Sequence, residues 1–174
     1  GHFNSCAWGD YDNDGYLDLF LTTGNAGGHQ LVKNYLYHNN GDGTFTRLME
    51  GSPANDLGNS TAASWVDYDN DGFLDLFVAN GAFWAAFNGG ELLINFLYRN
   101  NRDNTFTERA REAGVPGPGH GFATWFFDYD NDGWQDLLAT SYFTSVDESV
   151  RTYLGLAHNA ATLKLYKNLG NGTF

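Results

Sequence analysis

The residues best suited to chemistry in this chain are aspartates, and they come in sets. Asp10, Asp12, Asp14 and Asp18 crowd into the phrase "DYDNDGYLDL". The same spacing returns in "DYDNDGFLDL" as Asp67, Asp69, Asp71 and Asp75, and in "DYDNDGWQDL" as Asp128, Asp130, Asp132 and Asp136. Carboxylates at alternate positions of a tight turn converge, because the chain curls around one point. Hard cations want such a set, and Ca²⁺ takes roughly six to eight oxygens at about 2.3 to 2.6 Å. Four side chains per loop, the carbonyl of Tyr16, Phe73 or Trp134, and water would complete that shell. Gly15 and its equivalents stand where the loop must reverse, a task for a residue indifferent to positive φ.

An EF-hand would carry Glu at the twelfth loop position and continue into a helix; here Leu21, Val78 and Ala139 occupy that place in strand-like runs. Mg²⁺ fits less well because it keeps several waters, and zinc would call for clustered His or Cys. Three Ca²⁺ sites, each rigidifying a hairpin, are therefore expected. A merely solvated acidic turn is the plain alternative, and three identical spacings argue against it.

The elements that position these loops follow from a repeat. The aspartate phrases begin at 10, 67 and 128, and a second phrase keeps time with them: "LYHNNGDGTF" from 36, "LYRNNRDNTF" from 97 and "LYKNLGNGTF" from 165. Short aromatic or β-branched runs flank each loop, "FNSCAWG" and "LDLFLTT" in the first copy, too brief for helices and bounded by Gly and Asn. The second phrase reads as a hairpin around a turn rich in residues that tolerate positive φ. Each unit then supplies four strands, with both turns at one end. The units are expected over about residues 1–50, 58–112 and 119–174 of a single repeat domain, the last incomplete. Helix is confined to a turn or so within 106–115. Trp8, Trp65 and Trp125, just before the loops, are expected to fill wedges between units, and Tyr11, Tyr68 and Tyr129 to cover the loop flanks.

Composition fits a packed all-β protein: 42% of the 174 residues are hydrophobic and 17% aromatic, whereas disordered acidic chains lack aromatics. The formal charge of −12 is local, since the three loops hold twelve of the 21 acids and the remaining nine match the nine Lys and Arg. Such a surface repels phosphate backbones, so nucleic acid is not an expected partner, and no apolar run approaches the roughly 20 residues of a membrane helix. Cys6 is the single cysteine, which excludes a disulfide within the chain.

These phrases resemble the FG-GAP and VCBS-type repeat proteins, whose members include bacterial extracellular proteins and, more distantly, the propeller of integrin α subunits. The resemblance rests on "WGDYDNDGYLDLFLTTG" and its two echoes, each coupled to "LYxNxxxxTF", and spans nearly the whole chain. It implies four-stranded β-propeller blades with Ca²⁺ in each first hairpin, an extracellular or cell-surface location, and a non-catalytic role in adhesion, recognition or structure. Gln135 departs from the Leu at 17 and 74, and "RNNRDNTF" lacks the glycines of "HNNGDGTF"; neither departure is expected to touch a ligand. Three units are fewer than the roughly four to eight blades of a closed propeller, so a longer chain is expected, or self-association into a ring or filament through exposed strand edges.

A protein or glycan partner would meet the variable loops, where Phe83, Trp84 and Phe87 are the candidate contacts, unless they pack over a neighbouring unit. An enzyme acting on carbohydrate or ester from the same face is the rival reading, resting on His29 and His158, but no nucleophile or acid–base pair stands at an interpretable spacing. Asn59 and Asn171 head glycosylation sequons.

Overall fold

Strand and turn residues alternate along the chain in the computed structural model, which describes residues 2–25, 31–51, 53–81, 93–117, 121–141, 150–151, 153–156 and 163–174. In the first unit β1 (His2–Gly9) and β2 (Asp18–Gly24) flank the first aspartate loop. After β3 (Val32–Lys33), β4 (Tyr35–Asn39) and β5 (Phe45–Leu48) form the second hairpin, giving a sheet ordered β1-β2-β4-β5. Following β6 (Leu57–Gly58), the second sheet repeats this with β7 (Ser60–Val66), β8 (Asp75–Asn80), β9 (Phe96–Asn100) and β10 (Phe106–Glu108). The third contains β11 (Gly121–Phe127), β12 (Asp136–Ser141) and β13 (Lys164–Tyr166). β3 and β6 pair as a small fourth sheet. All are antiparallel and none closes on itself.

The first two sheets have four strands each, and the third, whose unit was expected to be incomplete, has three among the described residues. Phe174 instead donates its N–H to the carbonyl of Ala113, beyond β10 of the second sheet, at 2.9 Å. The segment 106–115 departs from expectation: its first three residues belong to β10 and a turn follows in which the Arg109 carbonyl accepts from Ala113 N–H, while the described helical residues are Val150, Arg151 and Tyr153, outside that segment. Gly114, at φ +82°, ends that turn.

Strand β7 packs against β1 and β2 on one side and β11 on the other. Between the first two sheets lie Tyr11, Phe20, Leu36, Leu76 and Tyr98; between the second and third lie Tyr68, Phe77, Leu97 and Leu137. Burying a Leu or Phe stabilises by about 1.5 to 3 kcal/mol, so these interfaces hold the sheets together. Trp65 stacks on Tyr11 with centroids 6.1 Å apart, meets Phe20 edge-on and donates its indole N–H to the Ala7 carbonyl. Gly9 makes room for it: a Cβ there would lie 2.7 Å from the indole.

Only Trp65 of the three tryptophans fills a wedge. Trp8 holds the same register, opposite Leu19 as Trp65 is opposite Leu76, yet it is exposed because no sheet faces it. Trp125 is one position out of phase and points outward; Phe126, opposite Leu137, takes the inward place and meets Phe77 edge-on at 5.9 Å.

Candidate metal centres

The loops 10–18, 67–75 and 128–136 are built alike. The first aspartate caps its own turn: Asp10 accepts from the N–H groups of Asp14 and Gly15 at 3.1 and 2.9 Å, and Asp67 and Asp128 repeat both bonds. The third folds back on the next residue but one, with the N–H groups of Tyr16, Phe73 and Trp134 donating to Asp14, Asp71 and Asp132. Gly15, Gly72 and Gly133 are left-handed, at φ 92°, 89° and 89°, as their place in the turn demanded. Asn13, Asn70 and Asn131 are left-handed too, at φ 60°, 53° and 59°. Sequence reasoning missed these asparagines, which also bridge units: Asn13 Nδ2 donates to the Gly72 carbonyl and Asn70 Nδ2 to that of Gly133.

Asp18, Asp75 and Asp136 have a second job besides the ligand role expected of them. Each is fully buried, with one oxygen accepting from the N–H of Tyr11, Tyr68 or Tyr129 and the other from that of Asn39, Asn100 or Asn168 at 2.7 to 2.8 Å. These bonds tie the aspartate loop to the second phrase, so both turns lie at the same end of the sheet. Every oxygen keeps a further lone pair.

Asp12 Oδ1 and Asp69 Oδ1, both from the second aspartate of a loop, are buried without a hydrogen-bond partner. Carboxylate oxygens of Asp10, Asp12 and Asp14 lie within 4.8 Å of one another, as do those of Asp67, Asp69 and Asp71 and those of Asp128, Asp130 and Asp136. Burial pushes the carboxyls of Asp12 and Asp18 above their ordinary value and that of Asp75 up to about 8. A cation among these oxygens would offset that cost, and a donor set made of oxygen suits a hard one. The residues therefore fit Ca²⁺.

One class of residue at these loops escaped the sequence reading, although "LYHN", "LYRN" and "LYKN" spelled it out. The third position of the phrase is basic in every copy. His38 Nδ1 lies 3.3 Å from Asp12 Oδ2 and from Asp18 Oδ1, but is aligned with neither and makes no hydrogen bond. Arg99 Nε donates to Asp69 Oδ2 at 2.7 Å, and Lys167 pairs with Asp130 and Asp132. The departure in "RNNRDNTF" does touch one of the residues expected as ligands, contrary to expectation: Arg102 donates to Asp71 Oδ2 through Nε and Nη2 at 3.0 and 2.8 Å. Burial pushes the Asp71 carboxyl up, but the Arg102 and Phe73 hydrogen bonds and the charges of Arg102 and Arg99 outweigh it and hold it below its ordinary value.

Asn59 is half-buried, with Nδ2, the atom a glycan would take, donating to the Gly81 carbonyl; Asn171 is exposed. Phe83, Trp84, Phe87, His29 and His158 lie outside the described residues.

The sequence profile of FG-GAP-like repeats matches residues 10–78 and 82–139, which takes in all three aspartate loops. Repeats of that kind are in general non-catalytic structural modules. No curated protein matches the chain.

Proposed function

The chain belongs to the FG-GAP-like repeat family, and from that premise we propose that it is a calcium-stabilised structural or recognition module working outside the cell. Its sheets are propeller-type blades, each with one Ca²⁺ in its aspartate loop. The residues that would hold the ions are Asp10, Asp12, Asp14 and Asp18, then Asp67, Asp69, Asp71 and Asp75, then Asp128, Asp130, Asp132 and Asp136, with the carbonyls of Tyr16, Phe73 and Trp134. The ion supplies positive charge where four carboxylates would otherwise repel. The chain's own part is to pre-form the cup: the first aspartate fixes the turn, the last ties it to the second hairpin, and the left-handed asparagines link neighbouring cups. Catalysis has no role in this reading. A protein or glycan partner would engage the rigidified surface.

The observation that carries the proposal is the pair of orphaned buried oxygens, Asp12 Oδ1 and Asp69 Oδ1, at one position of two loops. Buried carboxylate oxygens nearly always have a partner, and these have none from the protein. Calorimetric titration of the chelated protein tests it. Binding of three Ca²⁺ per chain, tighter than Mg²⁺, is the expected result; no heat and no change in melting temperature at millimolar calcium would sink it.

A second reading, self-association, is favoured by the outer faces of the stack. Trp8, Leu17 and Phe45 are exposed on one side, and Trp125, Phe127, Tyr129 and Leu165 on the other. Their equivalents pack against each other inside the molecule, so the two faces are complementary and a second copy would dock head to tail. Contact would then run through faces rather than strand edges. Light scattering across a concentration series tests this, with mass rising to a dimer or beyond as the expected outcome and a constant monomer mass against it.

A further inference from the structure

The second loop differs from the other two in the cations that surround it. The turn of its second hairpin places Arg102 where the others have Gly41 and Gly170, all three left-handed, at φ 66°, 73° and 70°. For glycine that conformation is free, whereas for arginine the Cβ meets the neighbouring carbonyl and the backbone is strained. In the glycine turns an aromatic ring covers the site so closely that a Cβ would lie 2.6 Å from Tyr16 or 2.8 Å from Trp134. In the second loop the equivalent ring belongs to Phe73, and the Arg102 guanidinium lies over it at 5.9 Å. Strained backbone retained at one of three equivalent turns points to a job for its side chain.

That side chain ends on Asp71. Asp71 Oδ1 accepts from the Phe73 N–H and Oδ2 from Arg102, with Arg99 Nη2 a further 3.5 Å away. In the first loop the equivalent Asp14 has only His38 Nε2 near its Oδ2, at 3.9 Å. Two permanently charged guanidinium groups thus stand where the first loop has one imidazole and the third has one ammonium, Lys167 Nζ at 3.1 Å from Asp132 Oδ2, and they crowd an oxygen that an ion would use.

We propose that Arg102, with Arg99, is a built-in counter-cation that makes the second loop the weakest calcium site of the three while holding it in shape without an ion. This rests on the calcium reading above. Removing one unit of positive charge about 6 Å from a divalent ion in water-like surroundings tightens binding about tenfold. The glycine amides of Gly15, Gly72 and Gly133, one per loop, let each site be followed separately by NMR in a titration with calcium chloride. In the unaltered chain the Gly72 signal moves at the highest calcium concentration. In Arg102→Gly, which installs the residue of the other two turns, and in Arg102→Gln, which removes only the charge, its midpoint falls about tenfold while those of Gly15 and Gly133 stay in place. A Gly72 midpoint at or below that of Gly15 or of Gly133, or one that moves in Arg102→Gly but not in Arg102→Gln, overturns the proposal and leaves the calcium reading standing. Three signals that never move overturn both.

Discussion

The second sheet is covered on both sides and the first and third on one side each, and residues at the same place in the three copies record the difference. Tyr11 and Tyr68 are 2% and 3% exposed, whereas Tyr129 is 44% exposed. Leu36 and Leu97 are fully buried, yet Leu165 is 48% exposed. Running the other way, Phe106 is buried against Tyr11 and Phe45 stands open beside Trp8. Hydrogen bonds follow the same rule: Asn100 Nδ2 reaches the Tyr11 carbonyl and Asn168 Nδ2 that of Tyr68, while Asn39 Nδ2 binds the Leu17 carbonyl within its own sheet. A unit of this repeat carries half of each interface, and its apolar residues stabilise only where a neighbour brings the other half.

The largest test of that contrast is a pair of truncations. Leu97→Ala is expected to cost about 2 to 5 kcal/mol in denaturant unfolding, and Leu165→Ala less than about 0.5. Equal losses would break the comparison. On the calcium proposal all three sheets would gain: with dissociation constants of about 10⁻⁴ to 10⁻³ M, ~1 mM ion would stabilise by roughly 0.4 to 1.4 kcal/mol per site. A melting curve with and without chelator should reveal the sum, about 1 to 4 kcal/mol for three sites.

Smaller effects sharpen the picture at single bonds. Asn100→Ala leaves the buried Tyr11 carbonyl without its donor and is expected to cost about 1 to 3 kcal/mol, against less than about 1 for Asn39→Ala. Chemical denaturation of both variants separates the inter-sheet bond from its local counterpart. Least of all should be Trp8→Ser, within about 0.5 kcal/mol of the unaltered chain at dilute concentration, although the same ring one sheet further on is packed. Should the chain self-associate, that variant would weaken association instead, visible as a lower mass at high concentration.

Much of the candidate site's geometry was legible because it is local. Aspartates at alternate positions and a glycine at the reversal lie within nine residues, so spacing alone brings Asp10, Asp12 and Asp14 together. The basic residues of the second phrase were legible in principle, since His38, Arg99 and Lys167 share one position. Their partners, however, lie some thirty residues away, and no short-range rule joins them. Arg102 was visible as a missing glycine, but only the hairpin's left-handed turn shows that its side chain ends on Asp71.

From the sequence by itself come the all-β class, the triple repeat, the strands flanking each loop and the acidic cups, for each of these is set by residues close along the chain. Tertiary structure alone decided which aromatic faces inward, as Phe126 rather than Trp125 does, which tyrosines are covered, and which carboxylate oxygens are left without a partner. Burial and pairing of that kind depend on what stands opposite in space. A repeated phrase cannot disclose whether its neighbour is there.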